Sequence, residues 1–111
     1  MAVYANLTID QGSDFFSSVS VEGANGLPFD LSNYTARGQI RRSYQSTTAY
    51  PFTALINNPT DGEIDISLGN TATSQMKPGR YVYDIEIIQS STGEKTRVVE
   101  GQVEVTPGVT R

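Results

Sequence analysis

Ten residues, Gly79 to Ile88, constrain this chain more than any other stretch, because Tyr81, Tyr83, Ile85 and Ile87 alternate with Val82, Asp84 and Glu86. A side-chain period of two with one apolar face is the pattern of a half-buried β-strand. Immediately upstream, Met76-Lys77-Pro78-Gly79 demands a sharp turn, so the strand opens as Gly-x-Tyr and delivers Tyr81 inward at its first residues.

That opening matches the strand that follows the E–F corner of an immunoglobulin-like sandwich, where a tyrosine hydroxyl bonds back to the corner. Tyr83 then stands where antibody domains carry their second cysteine. This chain has no cysteine, so the corner is expected without a disulfide. The absence of histidine also removes the commonest general base and metal ligand. With 111 residues, one domain with a modest core is expected, burying roughly two-thirds of the unfolded chain's surface. Helix formers are scarce beside Val, Ile, Thr, Tyr and Phe, and Gly and Pro recur at short intervals, which makes the class all-β.

Eight Lys plus Arg stand against twelve Asp plus Glu, and the net charge of −4 repels a phosphate backbone, so no nucleic-acid partner is expected. The first residues, Met-Ala-Val-Tyr-Ala-Asn-Leu-Thr, have no basic run and no long apolar core. No apolar stretch approaches the roughly 20 residues that span a bilayer, so neither a membrane partner nor an export signal is expected.

Along the chain, Val3, Ala5, Leu7 and Ile9 define a first strand, and Phe15, Ser17, Val19 and Val21 the inward face of a second, which Asn25-Gly26 closes. Pro28 confines the next short extended piece to an edge, and Ser32-Asn33-Tyr34 is expected as a single helical turn. Tyr34, Ala36, Gly38 and Ile40 give a third strand, narrow enough at Gly38 for a large side chain or backbone to approach. The polar, aromatic segment from Ser43 to Tyr50, including Tyr44, is expected as a projecting loop. Phe52, Ala54 and Ile56, then Ile64, Ile66 and Leu68, make a hairpin around Asn57–Gly62. Asn70 is expected to cap a short helical turn before Pro78. A last strand runs from Lys95 to Thr106 with Val99, Gly101, Val103 and Val105 inward and a bulge at Gly101. Turns at such short intervals fit an antiparallel two-sheet sandwich of seven or eight strands over residues 1–111, with 106–111 as a C-terminal arm. A small closed barrel is the alternative.

Catalytic signatures are missing: there is no G-x-S-x-G elbow and no S-x-x-K, so no enzyme activity and no cofactor are expected. Asp61, Glu63 and Asp65 alternate on one strand, but at a spacing of about 7 Å they suit a solvated face better than a metal ion. Arg37 and Arg41 form a basic stripe that reads either as an anion site or as the cross-strand partner of Asp84 and Glu86. Strict alternation leaves Val82, Ile88 and Val98 outward, a patch that marks a partner unless a bulge turns some of them inward. Phe16 must likewise face outward when Phe15 faces in. Pro107 and Gly108 interrupt pairing, so 107–111 should leave as an arm with Val109 as its apolar anchor and Arg111 at its end.

Four blocks also resemble a known family: Leu7-Thr8-Ile9-Asp10-Gln11-Gly12, Phe29 to Arg41, Asp61-Gly62-Glu63-Ile64-Asp65-Ile66-Ser67-Leu68, and Pro78 to Glu86. In order and spacing they are similar to small virion structural proteins of tailed phages, notably cyanophages, and more distantly to the N-terminal domain of the lactococcal phage baseplate upper protein. The resemblance implies a non-enzymatic, multi-copy component of the virion, assembled in the host cytoplasm. It acts through other tail, baseplate or capsid subunits, as a tail or baseplate part or fibre-attachment adaptor. Capsid decoration, and a carbohydrate- or surface-binding module built on the Tyr44–Tyr50 loop, are the alternatives.

Overall fold

A computed structural model describes residues 3–23 and 25–109 of the chain. In chain order its strands are β1 (Val3–Tyr4), β2 (Leu7–Asp10), β3 (Phe15–Ser20), β4 (Tyr34–Arg41), β5 (Ala49–Pro51), β6 (Thr53–Asn58), β7 (Glu63–Leu68), β8 (Gly79–Gln89) and β9 (Lys95–Thr106). A 3-10 turn, Pro59–Asp61, and one short helix, α1 (Asn70–Gln75), interrupt them. The larger sheet runs β1-β9-β8-β4-β5 with β2 also on β9, and the smaller runs β3-β7-β6. That is the strand order of an immunoglobulin-like sandwich, and two separate sheets replace the barrel alternative.

On β8 the parity is as expected: Tyr81, Tyr83, Ile85 and Ile87 are buried, and β4 pairs antiparallel with β8. The Tyr81 hydroxyl donates to the Lys77 carbonyl at 2.7 Å, which closes the corner. The Tyr83 hydroxyl reaches much further along the chain, donating to the Ala5 carbonyl at 2.6 Å. Ala5 lies in a gap that divides the expected first strand into β1 and β2, both parallel to β9.

Gly101 explains that approach. A Cβ on Gly101 would sit 2.0 Å from the Ala5 carbonyl oxygen, so the residue is glycine because backbone crosses it. The bulge expected there falls instead at Val98, where the register steps from Ile85↔Val99 to Glu86↔Arg97. At Gly38 the close approach is as expected, since a Cβ would meet Ile85 and the Asp84 carbonyl. Phe52 fills the adjoining space, its ring edge-on to Tyr83 with centroids 6.0 Å apart. Its amide donates to the Gly38 carbonyl at 2.9 Å, and there the chain passes from β5 in one sheet to β6 in the other.

Three local expectations are corrected. Ser32-Asn33 forms a turn rather than a helical turn: the Tyr34 amide donates to the Leu31 carbonyl and Asn33 sits at φ 69°. Asn70 is the first residue of α1 rather than its cap; Gly69 holds the cap position, and the Asp14 carboxylate accepts from the Asn70 amide at 2.8 Å. Thr106 ends β9, as the expected Lys95–Thr106 strand requires, and its hydroxyl donates to Asp10, so residue 106 does not belong to the expected C-terminal arm.

Gly101→Ala is expected to destabilise the fold by about 1–3 kcal/mol, because a backbone carbonyl rather than a mobile side chain must move. Gly23→Ala, with its nearest neighbour 3.8 Å away, should change little, and urea unfolding of the two variants checks the contrast. Burial pushes the Tyr83 hydroxyl up to about 12 from an ordinary 10.0. The folded state thus holds a proton that the unfolded chain releases first. Stability is full below pH 10 and falls as pH rises from there through about 12, and Tyr83→Phe should flatten that alkaline slope.

Candidate interaction surface

Outward residues of β4, β8 and β9 bring most of the chain's central charges together on the exposed face of the larger sheet. Arg37 donates to Glu86, directly across from it in the β4–β8 register. Asp84 faces Arg97 at 3.3 Å, and Arg97 also reaches Glu100 at 3.6 Å. The expected pairing of the basic and acidic stripes therefore holds for Arg37 and is corrected for Arg41. The Arg41 guanidinium donates instead to the Ser46 carbonyl and, at 3.0 Å, to the Gln39 amide oxygen, which ties down the middle of the Ser43–Thr48 loop.

Burial raises the pKa of the Asp84 carboxyl, an effect that Arg97 opposes and Glu86 and Glu100 reinforce. Beside it lies a shallow groove of about 270 Å³, walled by Gln39, Arg41, Tyr44, Val82, Asp84 and Arg97. Asp65 accepts from the Ser18 hydroxyl at 2.7 Å and from the Asn57 amide, so hydrogen bonds satisfy it. Among the described residues no group of three His, Cys, Asp or Glu side chains converges as a metal site would require.

The structure separates the residues singled out as contacts. Val98 is corrected outright: it is 2% exposed, because the bulge inserts it as an extra residue and turns it inward beside Val99. Without it the expected patch dissolves. Val82 and Ile88 are half-buried on the outer face, and six residues of strand keep them about 20 Å apart. Tyr50 is also corrected, since it belongs to β5 and packs edge-on against Tyr81, with centroids 6.4 Å apart, rather than projecting from a loop.

Other expected contacts are outside. Tyr44 is 80% exposed at the tip of its loop, and Phe16 is 67% exposed on the smaller sheet while Phe15 packs inward against Phe52. In the arm, Pro107 is exposed and Val109 is 94% exposed; Arg111 lies outside the described residues. Sequence reasoning missed Leu55, 56% exposed on β6 between the inward Ala54 and Ile56. The alternation that flagged Phe16 carries the same signal there. Phe16 and Leu55 flank the outer face of the smaller sheet from opposite edge strands, with Ser67 and Asp65 of β7 between them.

No protein-family model matches the chain, and no curated protein does. Among solved structures, it is similar to the N-terminal domain of phage TP901-1 ORF48, at a TM-score of 0.58 and 8% identity over 91% of this chain and 84% of that one. It also overlays on Listeria monocytogenes InlP, with a TM-score of 0.49 and 15% identity, covering 95% of this chain and 28% of that one. A family 123 glycoside hydrolase from Clostridium perfringens gives a TM-score of 0.42 at 16% identity, with 97% of this chain and 23% of that one covered. At these identities the likeness is one of fold, and the last two contribute nothing to a functional reading.

Since Arg97 serves two carboxylates, Arg97→Gln should lower stability by up to about 1 kcal/mol. Asp84→Asn should leave stability unchanged or slightly raised at neutral pH, because a raised pKa means that the fold disfavours the ionised carboxyl. Urea titrations of both variants decide the order; a larger loss for Asp84→Asn would contradict it.

Proposed function

We propose that this chain is a non-enzymatic structural component of a phage virion, working in multiple copies in the tail or baseplate through protein–protein contacts. The observation that carries the reading is the near domain-to-domain likeness to the N-terminal domain of phage TP901-1 ORF48, which spans 91% of one chain and 84% of the other. The order and spacing of the four motif blocks resemble those of tailed-phage virion proteins, which agrees with this reading, although much of that pattern is the grammar of the same β-sandwich. Fold alone fixes no function, so the particle itself has to test the assignment.

The physical character of the surface supports it as well. Charges on the large sheet are mostly engaged with one another, which leaves them little chemistry to offer a substrate. The exposed aromatic and aliphatic side chains of Phe16, Tyr44, Leu55 and Val109 are of the kind that protein interfaces bury. Phe16 and Leu55 share the outer face of the smaller sheet, while Tyr44 and Val109 lie elsewhere on the surface, so more than one neighbour could be met.

Quantitative mass spectrometry of purified particles tests the assignment. The expected result is a copy number of the order of the tail's subunits; one matching the capsid lattice would make this a decoration protein, and absence from the particle would overturn the reading. A second expectation concerns the arm. Because Thr106 is the last hydrogen-bonded residue among those described and 107–109 are exposed, deleting residues 107–111 should leave the melting temperature of the isolated domain nearly unchanged. Incorporation into particles should fall, and a truncated chain that assembles as well as the intact one would remove the arm from the interface.

A further inference from the structure

We infer that the cleft at the tyrosine-corner end of the sandwich receives the acidic end of a second copy of this chain, so that copies associate head to tail. The inference rests on the reading of the protein as a multi-copy building block and names one of its contacts. Its starting point is a pair of cations that share one cleft with no carboxylate in its wall. Arg37 and Arg97 are ion-paired and Arg41 is held by the Ser46 carbonyl, whereas Arg42 and Lys77 form no ion pair among the described residues.

Both line one cleft of about 340 Å³, together with Tyr50, Tyr81, Ser46 and Thr48, and no carboxylate contributes to its wall. The Arg42 guanidinium carbon lies 4.9 Å from the centroid of the Tyr81 ring. Its terminal nitrogens pass 2.6 and 2.8 Å from the point where a side chain on Gly79 would begin. Gly79, at φ 140°, is therefore what lets the guanidinium lie against the corner. A guanidinium already held in place loses less freedom on binding, and its planar fork matches a carboxylate through two parallel hydrogen bonds. Lys77 supplies a second charge and the Thr48 hydroxyl a further donor, while the Ser46 hydroxyl donates to the Thr48 carbonyl at 3.2 Å.

What presents carboxylates to this cleft is found at the other end of the same strand. β8 runs from Gly79 in the cleft to Gln89, where three loops are bound into one surface. The Val21 amide donates to Gly62 at 2.7 Å, Leu31 to Pro59 at 2.8 Å, and Ser90 to Asn33 at 2.8 Å. Those loops and the adjoining strand ends carry Glu22, Asp30, Asp61, Glu63 and Glu94 against Lys95 alone, an excess of −4 that equals the net charge of the whole chain. The remainder is near neutral overall, and the cleft that holds Arg42 and Lys77 lies at the opposite end. Two different, complementary surfaces on one chain make a heterologous contact, which propagates from copy to copy rather than closing as a symmetric pair.

Sedimentation velocity on the full chain tests the inference. At low ionic strength the protein should associate with rising concentration, and added salt should reverse this because the contact is charged. Arg42→Glu with Lys77→Glu should weaken association by about tenfold or more, and so should Asp61→Lys with Glu94→Lys. An equimolar mixture of these two variants should regain it, since the reversed cleft of one then meets the reversed end of the other. Arg42→Gln with Lys77→Gln, which removes charge without reversing it, provides the same readout if the reversed variant folds poorly. A wild-type chain that stays monomeric at low salt overturns the inference, as do variants that still associate or a mixture that does not recover. If in addition the Arg42→Glu, Lys77→Glu chain enters particles normally, the building-block reading stands while the head-to-tail contact falls.

Discussion

Two buried phenolic hydroxyls on one strand set the terms for the rest of this fold. A buried hydroxyl left without a partner costs about 1–3 kcal/mol, so Tyr81 and Tyr83 each require a carbonyl within reach. Tyr81 finds its partner four residues upstream at Lys77, which fixes the turn that feeds β8. Tyr83 finds Ala5, at the far side of β9, and that bond requires the N-terminal segment to cross the strand at a residue without a side chain. Gly101 and the break between β1 and β2 at Ala5 make that approach possible, and backbone pairing of β1 and β2 with β9 holds the segment in place. Where an antibody domain pins its sheets with a disulfide, this chain places the Tyr83 ring against Phe52 and its hydroxyl against backbone.

The elements legible in the sequence were those governed by parity and by local turn chemistry. The alternation through Tyr81 to Ile87 is long enough to fix its own phase, and Gly-x-Tyr after Pro78 announces the corner directly. Gly38 could be read as a narrow point because it interrupts an otherwise filled apolar face. Val98 and Val99 are different: two adjacent valines satisfy an alternating pattern in either phase, and the strand resolves the ambiguity by burying both. Only the partner strand, stepping from Ile85 to Glu86, determines where the extra residue goes.

Candidate contacts were harder to read, for reasons of the same kind. Tyr50 looked like a loop residue because its segment has no apolar period, yet three residues of pairing with β4 and the face of Tyr81 draw it into the rim of the core. The support for α1 comes from Asp14, 56 residues away, which no local capping rule can foresee. Arg41 turns to its own loop rather than to the neighbouring strand. Phe16, by contrast, could be placed outside from the sequence, because its neighbour Phe15 claims the inward position. What remains on the surface is a set of separated apolar points, an internally paired charged face, and charge concentrated at one end. Such a surface is suited to contacts with several neighbours.

The central claim is that this sandwich is a repeated structural part of a phage particle, and an electron-microscopy reconstruction of virions from the genome that encodes it tests this most directly. The account predicts repeated density in the tail or baseplate into which the two-sheet sandwich fits, with its exposed side chains at subunit boundaries. Density for every tail and capsid subunit with no place for this chain would contradict it.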